Sequence, residues 1–318
     1  MNTCLKEIVR YAAKAPSGHN TQPWRFRIAD DAITVTPDLK VSLPIVDKEN
    51  RELFISLGCA VENLCIAAGH FGYETHITEC NTNNITIKFA KNYDIIEDTL
   101  FPQIEKRQTN RSTYNGDKIP DGLLKQLRYI HKESHIHLYF AEIGTPFADK
   151  ITGYIMEGNK IQMTDPAFKR ELLSWMRFNK KQVEATQNGL SYRVFGNPPL
   201  PRILAKPIVN LFLKPNVQNK SDKKKIDSSS HFVIFTTRQN NTGEWIDLGR
   251  TLQRFLLKAT ENGIACAFLN QPCEIPELAS ALQKILPSGN EYPALILRIG
   301  YAEPLPYSPR KKIETLLR

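Results

Sequence analysis

The chain has 318 residues, 24% of them charged and 41% in the hydrophobic set, which are the proportions of an ordinary globular protein of about two domain-sized units. This composition excludes disordered and collagen-like architectures, and with no run of 18 or more apolar residues a membrane span is not expected. The net charge of +9 comes from widely spread cations. Its densest runs, Lys223-Lys224-Lys225 and Arg310-Lys311-Lys312, lack the interleaved aromatics of a nucleic-acid reader, so a phosphate-bearing small molecule suits them better than nucleic acid. Six cysteines without a Cys-x-x-Cys pair indicate reduced, mostly buried thiols. Lys6, Glu7 and Arg10 fall where a signal peptide would need its apolar stretch, so a cytoplasmic protein is expected.

Leu5, Ile8, Val9 and Ala12 recur at helical spacing, and Pro16 ends that first helix. An irregular stretch from Ala15 to Trp24 leads into a predicted hairpin, Arg25 to Ile28 and Ile33 to Thr36. A long helix follows from about Glu52, with Leu53, Leu57, Val61, Leu64, Ala68 and Phe71 on one face and Gly72 just past its end. Strands over Tyr73 to Cys80 and Ile85 to Ala90 complete this unit. The second half repeats the order: a strand over His231 to Thr237, a helix marked by Leu248, Leu252, Phe255, Leu256 and Ala259, then strands over Ile264 to Leu269 and Ala294 to Ile299. Leu57-Gly58, Ala68 and Gly72 align without a gap on Leu248-Gly249, Ala259 and Gly263, which supports two related halves. Between them, Asp165 to Leu213 begins helical and is then broken by Gly189, Gly196, Pro198, Pro199 and Pro201. A segment this long reads as a lid over a site or as a strap on the surface.

Pro16 to Trp24 is the most informative stretch. Its short side chains and the donors and acceptors of Ser17, Asn20 and Gln22 suit close approach to a flat heteroaromatic ring, although a helix-stopping turn anchored by Trp24 would read the same way. Arg107-Gln108-Thr109-Asn110-Arg111 places a hydroxyl between two guanidinium forks, a reasonable phosphate cradle or else a solvated helix face. His131, Glu133, His135 and His137 have ligand-like spacing. The pattern turns from helix to strand there, however, and no second ligand cluster accompanies them, so no metal is expected.

Residues 15 to 26 follow the pattern Ala-Pro-Ser-x-x-Asn-x-Gln-Pro-Trp-x-Phe, which closely resembles the flavin-contacting segment of the nitroreductase family. The resemblance implies that Pro16, Ser17, Gly18 and Asn20 meet the ring of FMN, with Gln22, Pro23 and Trp24 as support. It also implies that Arg107, Thr109 and Arg111 stand for the family's Arg-x-Ser-x-Arg grip on the phosphate and ribityl end. Asp227 to Phe235 is similar to the strand that follows a flavin-contacting lysine, which puts Lys225 near the pyrimidine or ribityl group. Asn270-Gln271 occupies the position where the family passes backbone over flavin N5, with the usual Glu-Gly pair replaced, and Arg310 resembles a C-terminal phosphate contact. The ring-contact segment lies only in the first half and the phosphate arginines only in the second. That order resembles the double-length Acg-type members, in which one chain mimics the nitroreductase dimer.

The expectation is therefore an α+β nitroreductase-like fold forming an intrachain pseudo-dimer, with halves at 1–100 and 101–318 and a lid-like insertion at about 165–213. It would be an FMN oxidoreductase in which NAD(P)H reduces the flavin and a nitroaromatic, quinone or similar acceptor reoxidises it. No side chain is required as an acid or base. The chain would be a monomeric pseudo-dimer or a higher oligomer. Two other readings stand beside this one: a protein that stores FMN with little turnover, and a pseudo-enzyme that has lost its flavin.

Overall fold

The structure, a computed structural model, describes residues 3–196, 198–201 and 213–318. Two antiparallel four-stranded sheets share one topology. β1 (Trp24–Ile28), β2 (Ala32–Pro37), β3 (Tyr73–Cys80) and β4 (Ile85–Lys91) run in the order β1-β2-β4-β3. β5 (Ile136–Glu142), β8 (His231–Thr237), β9 (Ala265–Phe268) and β10 (Tyr292–Gly300) run in the order β5-β8-β10-β9. In each sheet the second and third strands in chain order are joined by a twenty-residue helix, Arg51–His70 in one and Thr242–Glu261 in the other. The correspondence anticipated between Leu57-Gly58 and Leu248-Gly249 thus extends to whole sheets.

The two long helices cross at the centre of the main core. Gly58 and Gly249 meet at the crossing: a Cβ on Gly58 would lie 2.1 Å from the Ile246 carbonyl oxygen, and one on Gly249 would lie 2.1 Å from that of Ile55. Polar groups lock the register of the pair. Glu62, buried on the first helix, accepts from Arg250 Nε at 2.9 Å and Arg254 Nη1 at 2.6 Å, while Gln253 donates to Asn63 at 2.6 Å. The Arg51–His70 helix is long and apolar enough to cross a membrane by composition, but 83% of its most apolar window is buried inside the protein.

The sheets differ in what covers them. β8 is buried along its whole length and β10 nearly so, because a second core cluster beneath the Pro146–Thr164 helix covers their outer face. β4 alternates between buried and exposed and β3 is largely exposed, as in a sheet with one wet face. After β10 the chain returns to the first half, where Phe26 exchanges backbone hydrogen bonds of 2.9 Å with Leu316 and Arg318. That return carries Arg310 and Lys311 to residues 14–22.

The inserted segment starts as a helix, Pro166–Trp175, and continues through a parallel pair of two-residue strands, Met176–Arg177 and Leu190–Ser191, around the helix Lys180–Thr186. Glu171 fastens it to the first half by accepting the Ile45 and Val46 N–H groups at 3.0 and 3.1 Å. The remainder of the expected lid, residue 197 and residues 202–212, lies outside the described residues. His135 and His137 pair with Asp247 at 3.2 Å and Glu291 at 3.0 Å.

Candidate functional site

Residues 15–22 leave the first helix in unusual backbone. His19, Asn20 and Gln22 have φ of 48°, 56° and 54°, left-handed values that cost a non-glycine residue roughly 1–2 kcal/mol each. Strain of this kind persists only where the surroundings enforce it, and it clusters at functional sites. The Asn20 amide supplies much of the enforcement. It donates to the Gly189 carbonyl at 3.2 Å and the Pro309 carbonyl at 3.1 Å, and accepts from Arg310 Nη1 at 2.8 Å. Gln22 likewise donates to the Gln187 carbonyl at 2.9 Å and accepts from Lys311 N at 2.8 Å. The segment is therefore clasped by both the insertion and the C-terminal return. Asn20→Ala deletes three hydrogen bonds, one buried and two part-buried, and is expected to lower stability by about 2–3 kcal/mol, measurable as a reduced urea midpoint.

Two adjoining cavities, of about 330 and 340 Å³, share the lining residues Pro16, Ser17, Arg111, Leu190 and Phe268. The smaller extends past Gly18 and His19 to Lys225, Asn270, Gln271 and Arg298, and the insertion contributes an apolar wall that includes Phe168 and Phe195. The other reaches Asn20, Arg107, Thr109 and Arg310. All eleven residues singled out in the sequence thus line these two adjoining cavities, although they come from widely separated parts of the chain.

The arginine end is electrostatically incomplete. Arg107 Nη2 and Arg310 Nη2 both donate to the Lys14 carbonyl at 3.1 Å, which pins the two guanidinium groups together. Arg107 Nε and Nη1 and Arg310 Nε are buried with no partner, and no carboxylate pairs with either arginine among the described residues. Among the described residues the one acid lining this cavity, Glu105, is engaged by Lys14 and by Arg10 at 2.8 Å. Burial and the neighbouring Arg107 push Arg310 down to about 9, and burial lowers Arg107 as well. Arg111, pushed down to about 10 by burial, faces the Phe195 ring at 5.7 Å and finds no ion-pair partner among the described residues. Three clustered cations that lack counter-charges make a site for a polyanion such as a phosphate monoester.

At the other end, Ser17 Oγ accepts from Gln22 N at 3.0 Å and keeps its proton free to donate. Lys225 faces Asp222 at 3.8 Å, and burial lowers its ammonium below the ordinary value against that carboxylate's pull. Three of these side chains are engaged by protein partners. Asn20 was expected at a ring, but both ends of its amide are taken by protein partners. The Asn270 amide donates to Glu52 Oε1 at 3.1 Å and accepts from Ile296 N at 3.1 Å, while Gln271 donates to Asn159 at 3.0 Å and keeps its Oε1 buried with no partner among the described residues.

Sequence reading missed Arg298, which is buried 3.9 Å above the Tyr114 ring and donates to the Ser112 carbonyl at 2.7 Å. It also missed Glu52 and Glu274, two acids on the wall between Gly18 and Asn270. The one signal available for Glu274 was its place three residues after Gln271.

No family model matches the chain. Over nearly its whole length it is similar to curated proteins of Mycobacterium tuberculosis (strain ATCC 25618 / H37Rv). "Putative NAD(P)H nitroreductase Rv3131" is 24% identical over 328 residues, spanning 98% of this chain and 90% of that protein. "Putative NAD(P)H nitroreductase acg" is 22% identical over 330 residues, spanning 98% and 94%. Among solved structures, the FMN-dependent nitroreductase NfnB from Mycobacterium smegmatis in complex with NADPH is similar with a TM-score of 0.45 and 12% identity, over 68% of this chain and 95% of that one.

Proposed function

We propose that this chain, a relative over nearly its full length of proteins named as NAD(P)H nitroreductases, is an oxidoreductase that holds one FMN between its two halves and uses NAD(P)H to reduce a small acceptor such as a nitroaromatic or quinone. The observation that carries this reading is the pair of arginines Arg107 and Arg310, which have buried guanidinium N–H groups without a partner among the described residues and line a cavity adjoining the one bordered by Pro16-Ser17-Gly18. A flavin mononucleotide has the matching chemistry, a phosphate at one end and a flat heteroaromatic ring at the other.

In this assignment Arg107, Arg310 and Arg111 take the phosphate, with the Thr109 hydroxyl beside them. Pro16, Ser17 and Gly18 and the backbone at Asn270-Gln271 border the ring, and Lys225 supplies a cation at its polar edge. Bound FMN would supply the chemistry of carrying two electrons from NAD(P)H to the acceptor. The protein contributes position, charge and access. Asn20 holds the phosphate arginine Arg310 and the ring-bordering segment in one network, and Asp222 restrains Lys225. The halves at 1–100 and 101–318 act as an intrachain pseudo-dimer, and the insertion at about 165–213 covers the site as a lid.

One site per chain follows, because ring-bordering and phosphate-binding residues lie on different pieces and neither set is duplicated. Purified protein is expected to show an oxidised-flavin spectrum with a flavin-to-protein ratio near one at saturation, and anaerobic NAD(P)H should bleach it within a catalytic turnover. No flavin at saturating FMN, or a ratio near two, would overturn the reading. A storage function has one observation in its favour: Gln187 and Gly189 of the insertion are hydrogen-bonded to the ring-bordering segment, which closes one side of the cavity. Bleaching by dithionite but by neither nucleotide would select storage.

A further inference from the structure

Two acids sit where the walls of the cavity meet. Glu52 is the second residue of the Arg51–His70 helix, and its Oε2 lies 3.2 Å from the place a Cβ would take on Gly18. Its Oε1 accepts from the Asn270 amide at 3.1 Å, so this carboxyl bridges the first half's wall and the second half's wall. Glu274 ends the short helix Gln271–Glu274, donates its N–H to the Asn270 carbonyl at 3.2 Å, receives a hydrogen bond from the Gln162 amide, and lines the same cavity as Glu52. Two carboxyls on one buried wall oppose each other's ionisation, which favours a pair that keeps one proton.

We propose that the Glu52–Glu274 pair stores one proton and delivers it to the acceptor at each turnover. This rests on the oxidoreductase reading above. Reduction of a quinone, Q + NAD(P)H + H⁺ → QH₂ + NAD(P)⁺, consumes one proton beyond what the nicotinamide provides. Reduction of a nitro group does likewise, RNO₂ + NAD(P)H + H⁺ → RNO + NAD(P)⁺ + H₂O, with the N–O bond broken and its oxygen leaving as water. The pair gives up its proton, is left doubly anionic, and is reloaded from solvent through the cavity.

The surroundings favour a pair that stays protonated once. Burial and the charge of Glu52 push the Glu274 carboxyl well above the usual carboxylate range, against the opposing effects of Gln162 and Arg51. Asp47, which accepts the Glu52 and Leu53 N–H groups at 3.1 and 3.0 Å, is itself pushed up to about 6 by burial and by Glu52. Cys273 is held neutral by burial, its thiol pushed up to about 12. Arg51 is the one cation facing this group among the described residues. His19 on the same cavity is pushed down to about 4 by burial and by Arg111, so it carries no spare proton at neutral pH.

The test uses the FMN-loaded protein with the variants Glu274→Gln and Glu52→Gln, and Glu277→Gln on the exposed start of the next helix as control. Photoreduced protein is mixed with a benzoquinone over a range of pH. For the wild type, reoxidation should slow as pH rises and the pair loses its proton. In Glu274→Gln it should be slower by about 100-fold, within the range of general acid catalysis, and flat with pH. Glu52→Gln carries the same expectation and keeps the test alive if Glu274→Gln does not fold. A readout independent of flavin is the infrared C=O stretch of a protonated carboxyl in the flavin-free protein at neutral pH, expected in the wild type and lost in Glu274→Gln. Unchanged reoxidation rates and pH profiles in both variants, or no such band in the wild type, would overturn the proposal. A band in a protein that binds no flavin would overturn the delivery role together with the function reading, and would leave a purely structural pair.

Discussion

Arg107→Ala is expected to weaken FMN binding by about 10- to 150-fold while leaving the flavin-free protein at least as stable as the wild type. The first half of this expectation follows from the energy of a charge-assisted hydrogen bond, about 1.5–3 kcal/mol, lost from a guanidinium with two N–H positions unpartnered. The second half is less intuitive and more discriminating. In the empty protein Arg107 is a buried cation beside another, Arg310, and like charges brought together out of water oppose folding. Deleting it removes that repulsion and breaks only the 3.1 Å bond to the Lys14 carbonyl, which keeps its bond from Arg310. Arg310→Ala should behave differently, because its guanidinium also ties Asn20 and the Ala15 carbonyl, so both affinity and stability should fall. Fluorescence titration with FMN and thermal melts of flavin-free protein measure the two halves separately. An unchanged affinity in Arg107→Ala would remove the phosphate from this end of the cavity.

The sequence revealed the architecture further than it revealed the roles of individual side chains, and the reason is distance along the chain. Helical spacing after Glu52 and around Leu248 and the alternation of the strands are local signals, and the elements they predict are present with nearly the predicted ends. The motif over residues 15–26 singled out a segment that lines the cavity, yet it could not show that the Asn20 amide would be occupied by Gly189, Pro309 and Arg310, which are 169 to 290 positions away. The partners of the Asn270 and Gln271 side chains were illegible for the same reason, since Glu52, Ile296 and Asn159 are remote from them in sequence. The acid pair was illegible because neither Glu52 nor Glu274 stands in a pattern of its own; only the crossing of the halves brings them together. Asp222 is the contrasting case. It lies one helical turn before Lys225, and a reading of i,i+3 pairs would have found it.

Gly249→Ala is expected to destabilise the protein by about 3 kcal/mol or more, a large share of the roughly 5–15 kcal/mol that holds a typical domain folded. Adding a methyl group to a helix normally helps, and Gly153→Ala, with nothing within 4 Å of its new Cβ on the exposed side of the Pro146–Thr164 helix, should stabilise by up to about 1 kcal/mol. At Gly249 the same atom would lie 2.1 Å from the Ile55 carbonyl oxygen and 2.9 Å from the Gly58 Cα, which are backbone atoms that no rotamer change can move aside. The helices would have to separate, and the Cys59 thiol's 3.1 Å bond to the Gly249 carbonyl and the Glu62–Arg254 and Asn63–Gln253 contacts would stretch together. Gly58→Ala meets the Ile246 carbonyl at the same 2.1 Å, so the near-twofold crossing predicts an equal loss from either side. Denaturant midpoints of the two glycine variants and Gly153→Ala decide the matter. Two large and matching losses beside a small gain would show that contact between the two helix backbones, and not helix propensity, is what these glycines serve. Clearly unequal losses would mean that the halves no longer share the load of the crossing, and that one helix can yield where the other cannot.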